Sequence, residues 1–302
     1  MVKKKIAAID DKDGRLFRGI SHIMLTLFSI VCILPLILVI SISISSEDSL
    51  LAGGYSLMPR EYSLEAYRYL FASPQEIVSS YGVTVFVTLF GTLASILITA
   101  MLSYGLSRKD YPLADKTSFY VFFTMLFSGG MVPWYILMSK YLHLTDSIFG
   151  LILPYAVIPW NVLLMKGFLK NFPMAIIESA KIDGASEFRI FFEMVLPLNK
   201  PGIATVTLFI ALMYWNDYWL SLMLINSSNM VSLQLLLYRI MSNLDFLTKA
   251  VSSGGTMVNA ADLPGLSARM AICILSAGPM LLIFPFFQKY FVRGLTLGAV
   301  KG

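Results

Sequence analysis

The chain has 302 residues, 57% of them hydrophobic and only 14% charged, with a mean hydropathy of +0.74. A soluble domain carries about 25% charged and 45–50% apolar residues, so a single water-soluble core is excluded. The formal charge of +5 does not point to nucleic acid either, because no basic stripe interleaved with aromatics lies outside the apolar blocks.

In chain order, six apolar blocks are long enough to cross a bilayer, which takes about 20 residues each. They span roughly 20–44, 83–106, 118–138, 148–168, 203–224 and 270–287. Residues 1–19 read as an N-terminal segment and 20–302 as one all-α, polytopic transmembrane domain. The first block, Ile20 to Ile44, is longer than the apolar stretch of a cleaved leader, about 7–15 residues, and no small-x-small site follows it. It reads as a retained anchor.

Residues 45–80 are acidic, with Glu47, Asp48, Glu61, Glu65 and Glu76 against Arg60 and Arg68. Ser128-Gly129-Gly130 with Pro133, then Pro154 and Pro159, then Gly278-Pro279 and Pro285 interrupt three blocks. Such breaks leave backbone groups unpaired in lipid unless protein or water satisfies them. A transport pathway and ordinary kinking both account for them. Residues 225–268 form a long segment containing Val251-Ser252-Ser253-Gly254-Gly255-Thr256, expected to be a binding element or unstructured.

Lysine and arginine concentrate on the cytoplasmic side of membrane proteins. With the N-terminus inside, beginning with Lys3-Lys4-Lys5, seventeen basic residues fall on that side and six on the other. Both termini are therefore expected in the cytoplasm. Cys32 and Cys273 lie within apolar blocks and His22 and His143 are isolated, so no metal or redox motif is read. No Gly-x-x-x-x-Gly-Lys-[Ser/Thr] loop is present, and no cofactor is expected.

The informative connection is 169–202, on the inner side. It contains Pro173-Met-Ala-Ile-Ile-Glu178-Ser179-Ala180-Lys181-Ile182-Asp183-Gly184-Ala185-Ser186-Glu187-Phe188-Arg189, and later Leu196-Pro197 and Pro201. Pro173 suits a first helical turn, Asp183-Gly184 is a turn signal, and Ser186 can cap a second helix. Phe188, Phe191, Phe192 and Val195 recur at helical spacing and predict one apolar face. Pro197 and Pro201 predict an extended link into the fifth block. A plain interfacial helix pair has the same pattern.

This segment resembles the coupling motif of ABC importer permeases: Glu-Ala-Ala, three residues, then Gly. Glu178, Ala180, Asp183, Gly184 and Ala185 match, with Leu196-Pro197 and Pro201 behind them; Ser179 stands where the motif has its first alanine. The resemblance covers nearly the whole chain. It is to the carbohydrate-uptake branch, similar to the smaller permease subunit of maltose importers and nearest to permeases for complex, uronate-containing saccharides. That narrower likeness rests on Ser128-Gly129-Gly130, Pro133, Asp146, Pro154, Trp160-Asn161, Trp215-Asn216-Asp217 and the tail Gly294 to Gly302.

The resemblance implies a type I importer permease fold with six spans in a bacterial cell membrane, and no enzymatic activity of its own. It implies a cytoplasmic ATPase dimer seated on the elbow from Glu178 to Arg189, including Phe188, with Gly184 allowing close approach. It further implies a second homologous permease, an extracytoplasmic sugar-binding (lipo)protein reached through 225–268, and a saccharide substrate. The tail after Arg293 is expected at the ATPase interface.

For the substrate path the candidates are Trp160, Asn161, Tyr214, Trp215, Asn216, Asp217, Tyr218 and Trp219. Sugars stack their CH faces on aromatic rings and pair hydroxyls with amides and carboxylates, and a polar group within a span faces protein or water. Trp215 and Trp219 are four apart and can share one helix face. An interfacial aromatic belt or contact with the second permease explains the same residues. Rival classes are a permease for another solute, a membrane enzyme, which would need clustered acids, bases or metal ligands, and an ion-driven carrier, which calls for inverted repeats or midplane charges. Asp217 is the one evident carboxylate well inside a block.

Overall fold

The computed structural model describes residues 12–252 and 265–299. Lys3-Lys4-Lys5, the stretch Ser253 to Thr256 and the last three residues of the tail lie outside them. Among the described residues the structure is helical, with one isolated antiparallel bridge between Ser45 and Tyr62.

In chain order the helices are α1 (Lys12–Ser43), α2 (Glu47–Gly53), α3 (Glu65–Leu70), α4 (Pro74–Ser107) and α5 (Ala114–Leu126). Then come α6 (Met131–Tyr141), α7 (Ile148–Tyr155), α8 (Pro159–Lys170), α9 (Met174–Ile182), α10 (Glu187–Leu198) and α11 (Lys200–Trp215). The last are α12 (Trp219–Leu224), α13 (Leu233–Ser252) and α14 (Gly265–Ala299).

Three stretches are long and apolar enough to cross a membrane unbroken: Phe17–Ser43, Pro74–Ser107 and Gly265–Phe286. Three helix pairs reach that length only across a bend: α5 with α6 at 112°, α7 with α8 at 49°, and α10 with α11 at 86°. The block at 118–138 is thus not a straight span. Its chain leaves α5 in an extended conformation at Phe127 and enters α6 through Gly130 at φ +85.

The block at 203–224 and the link that leads into it each differ from expectation. First, α11 ends at Trp215 and α12 starts at Trp219, so the two tryptophans do not share a helix face. The polar pair between them explains the break, because Asn and Asp compete with the helix for backbone partners. Asn216 donates its side-chain amide to the Leu212 carbonyl at 2.8 Å, and Asp217 Oδ2 accepts from the Leu220 amide at 3.1 Å. Second, the Pro197–Pro201 link is helical rather than extended. Pro201 sits in the first turn of α11, where its missing N–H costs nothing, Pro197 lies at the end of α10 just past its π-helical stretch, and Asn199 alone separates α10 from α11.

Residues 225–268 are likewise not a bare connector, since α13 occupies twenty of them. Its strong amphipathic pattern gives it one face to bury and one to expose.

The chain divides into two compact units, Met1–Ala72 with Asn243–Leu275, and Ser73–Ser242 with Ser276–Gly302. In the first, α1 keeps its apolar side chains from Phe17 to Ile40 largely exposed, as a helix against lipid does. Glu47, counted above among the charges of an acidic connection, is buried. Its carboxylate accepts from the Leu266 and Ser267 amides at 2.8 and 3.1 Å and from the Ser267 hydroxyl at 2.8 Å. That caps the first turn of α14, whose amides have no partner within the helix.

The second unit is built around α4, which packs on α8 and α11. Lipid removes the water that drives apolar burial, so helices associate there through close packing and hydrogen bonds, with small residues at the seam. α4 supplies these: Gly91, Ser95, Thr99 and Ser103 are all buried. A Cβ on Gly91 would lie 2.7 Å from the Tyr214 ring. The Ser95 hydroxyl donates to the Tyr155 carbonyl and the Ser103 hydroxyl to the Val162 carbonyl, both at 2.9 Å. Val87, Ala100, Met165, Ile190, Val206 and Ile210 fill the core between them.

Candidate functional site

The elbow between α9 and α10 is set by local sequence. α9 ends in a paired closure: the Gly184 amide donates to the Lys181 carbonyl at 3.0 Å, and the Ala185 amide to the Ala180 carbonyl at 2.9 Å. This geometry needs a left-handed residue just past the helix end, and Gly184 has φ +76. Ser186 then caps α10, its hydroxyl accepting from the Arg189 amide at 3.3 Å. Pro173 precedes α9 in an extended conformation rather than opening its first turn.

One side of the elbow faces the bundle and the other faces out. Ile177 and Ala180 on α9 and Ile190, Phe191 and Val195 on α10 are buried in the core. Glu178, Ser179, Asp183, Gly184, Phe188 and Arg189 are exposed. The expected face of Phe188, Phe191, Phe192 and Val195 is therefore split, with Phe188 and Phe192 outward. Beyond Phe188 the helix widens into a π-helical stretch, Ile190–Val195, whose wider turn shifts later side chains around the axis. Two large apolar side chains flank the turn with little cover, Ile182 at 85% exposure and Phe188 at 67%.

A charged cluster joins this elbow to the end of α4. Arg108 follows the last residue of α4, and its side chain is only 6% exposed. It forks onto Asp110, with Nε to Oδ1 at 2.8 Å and Nη2 to Oδ2. It also donates from Nη1 to the Tyr104 hydroxyl at 3.0 Å and from Nη2 to Glu187 Oε1 at 3.4 Å. The Tyr104 hydroxyl donates to Glu187 Oε2 at 2.8 Å. Lys181 closes the ring, reaching Asp110 Oδ2 at 2.9 Å and Glu187 Oε1 at 2.8 Å.

Electrostatics follow from these contacts. Hydrogen bonds from Arg108, then Lys181, hold the Asp110 carboxyl well below the usual carboxylate range. Burial pushes the Glu187 carboxyl up, but hydrogen bonds from Lys181 and Tyr104 with the Arg108 charge more than offset it, and the net direction is down. Glu187 and Asp110 in turn raise Lys181. All three groups are about half exposed, so water screens the pairs and the cluster fixes position more than it adds stability.

The substrate-path candidates scatter. Tyr214 and Trp215 are buried. The Tyr214 hydroxyl donates to the Ile152 carbonyl at 2.8 Å, and the Trp215 Nε1–H to the Ser276 carbonyl at 2.8 Å. The Tyr155 hydroxyl donates to Asp217 Oδ1 at 2.8 Å. Asn161 is buried at the start of α8 and Trp219 is half-buried, while Trp160, Asn216 and Tyr218 are exposed, Trp160 to 60%. Tyr218 stacks on Tyr238 of α13 with centroids 5.4 Å apart. Asp146, at φ +50, ties down the segment after α12, accepting the Asn226 and Ser227 amides at 2.7 and 2.8 Å.

Sequence reading missed Tyr104, Arg108 and Asp110, and gave Lys181 and Glu187 no role. The signal available was slight: Arg108 and Lys109 read as ordinary basic residues at a span end. Among the described residues no group of His, Cys, Asp and Glu could hold a metal ion.

A helical chain of apolar and bent spans, with an outward-facing elbow braced against them, defines the permease subunit of an ABC importer rather than an enzyme. The chain belongs to the family described as binding-protein-dependent transport system inner membrane component, whose model matches residues 7–297. It is 40% identical over 294 residues to the polygalacturonan/rhamnogalacturonan transport system permease protein YtcP of Bacillus subtilis (strain 168), covering 96% of this chain and 99% of that one. Protein LplC of the same organism is 37% identical over 291 residues, covering 96% and 97%. Among solved structures, a bacterial ABC transporter involved in the import of the acidic polysaccharide alginate matches with TM-score 0.75 and 27% identity, covering 93% of this chain and 98% of that one.

Proposed function

We propose that this chain forms half of the translocation pathway for oligosaccharides, acidic ones foremost, and that residues 169–202 couple it to a separate ATPase dimer. The observation that carries the coupling is the elbow's division of labour. Its inner side is packed and braced, while Glu178, Asp183, Gly184 and Phe188 stand outward with Ile182. An apolar pair rimmed by carboxylates is a surface for a protein partner. The substrate class draws on YtcP, named for polygalacturonan and rhamnogalacturonan transport, and on the importer of the acidic polysaccharide alginate.

A second permease completes the pathway, and an extracytoplasmic binding protein delivers the sugar at the face bearing α13. Both termini lie in the cytoplasm in this reading, which the bias of lysine and arginine toward that side supports. The deciding experiment is import of labelled trigalacturonate into proteoliposomes holding both permeases, the ATPase and the binding protein. Vanadate abolishes import and a collapsed proton gradient leaves it intact. Import that ignores vanadate and stops with the gradient overturns the reading in favour of an ion-driven carrier.

A further inference from the structure

We propose that Tyr104, Arg108 and Asp110 are positioning residues that latch the elbow to α4, so that α4 is carried along when the elbow is displaced. This rests on the coupling role of residues 169–202 given above. A coupling elbow that bent at its own turn would transmit nothing, and Gly184 puts the most pliable backbone position at that turn.

The latch spans the weak point. Lys181 and Glu187 lie three residues before and three after Gly184, one on each arm. They bridge to each other at 2.8 Å and both reach Arg108 or its partner Asp110. The turn is thereby pinned from both sides to one helix end. Packing alone leaves freedom to slide, as between the Tyr104 and Phe191 rings, 5.4 Å apart. A guanidinium forked on a carboxylate and bonded to a phenol fixes orientation as well as distance.

Beyond the latch, α4 runs 34 residues with no proline after its first position, roughly 51 Å at 1.5 Å per residue. At its other end the Thr84 hydroxyl accepts from the Leu233 amide at 2.8 Å, and the Ser79 hydroxyl donates to the Asn229 carbonyl at 3.4 Å. Movement delivered at Arg108 therefore reaches the segment leading into α13.

The test needs no sugar. Ser79→Cys is introduced with Cys32→Ser and Cys273→Ser into the complete transporter, and its labelling by a membrane-impermeant maleimide is timed before and after vanadate traps the ATPase. The expected result is a several-fold change in the parent on trapping. Arg108→Lys, Asp110→Asn and Tyr104→Phe lose that change while nucleotide trapping persists, and Asp110→Glu retains it. Should Arg108→Lys fail to assemble, the Asp110 and Tyr104 variants decide. Latch variants that respond like the parent, or a parent without response, overturn the latch. Gly184→Asp serves as the control for the coupling role itself: if it responds like the parent the elbow is not the lever, and if it alone loses the response only the latch fails.

Discussion

The amide of Ala185 donates to the carbonyl of Ala180 at 2.9 Å across the turn that joins α9 to α10. The bond exists because Gly184, between them, takes φ +76, and a Cβ there would meet nothing within 4 Å. Glycine is thus required by the backbone and not by crowding within the chain.

Two penalties then separate. Gly184→Ala meets only the cost of a left-handed non-glycine residue, about 1–2 kcal/mol, and the transporter still inserts and imports at a reduced rate. Gly184→Asp or Gly184→Leu bears the same backbone cost and also projects a side chain into the space where the proposed coupling role seats the ATPase, so uptake should be abolished while membrane levels stay near the parent's. Uptake normalised to membrane abundance checks this. Wild-type import by Gly184→Leu counts against the coupling role.

Gly91 is the opposite case. Its neighbour is the Tyr214 ring, 2.7 Å from where a Cβ would stand, and that ring is held by Ile152 and Ser95. Gly91→Ala therefore separates α4 from α11, at about 1–3 kcal/mol for overpacking. A lowered thermal midpoint of the purified transporter is expected. In a double-mutant cycle with Tyr214→Leu the two losses should not add, and strict additivity would show that the ring yields.

The elbow was legible in the sequence because its determinants are local: Asp183-Gly184 for the turn, Ser186 for the cap, three residues before the amide it accepts from. The latch was not, since Asp110 and Lys181 are 71 residues apart and only the packing of α9 beside the end of α4 brings them together. Hydropathy identified apolar mass and not continuity. A window over 203–224 averages Asn216 and Asp217 into an apolar block, although those two residues end one helix and cap the next. Ser128-Gly129-Gly130 did mark its break, but the 112° turn depends on how α5 and α6 pack. The π-helical stretch at Ile190–Val195 likewise has no signature at that scale.

Acidification should loosen the latch. The Asp110 carboxyl is held below its usual 3.8 by Arg108 and Lys181, so on acidification the unfolded chain takes up its proton first. The contribution to stability is complete above that usual value and is lost as pH falls through the depressed one. Lys181 bounds the other side: raised above 10.5, it contributes fully below that value and less as pH climbs through its own. Thermal midpoints of the parent and Asp110→Asn should converge on acidification below about pH 4, the ordinary carboxylate range. A constant gap across the whole range would place the stabilisation elsewhere.

Burial separates Trp215 from Trp160, two of the three tryptophans singled out for the sugar path. Trp215 is 3% exposed, with its indole N–H committed to the Ser276 carbonyl and its ring 6.4 Å from that of Tyr81. Trp215→Ala should cost about 3–5 kcal/mol, as large core truncations do, and lower the thermal midpoint whatever the sugar. Trp160 is exposed at the start of α8, beside the 49° bend, where an indole face is free to stack on a saccharide ring. Trp160→Ala should leave the midpoint within the small range of surface changes, about 0.5 kcal/mol, and raise the half-saturating concentration of trigalacturonate uptake. Asn216→Ala, exposed at the α11 break, should behave the same way to a lesser degree. Unchanged half-saturation and rate in Trp160→Ala would assign that indole to the membrane interface, where an exposed tryptophan needs no ligand.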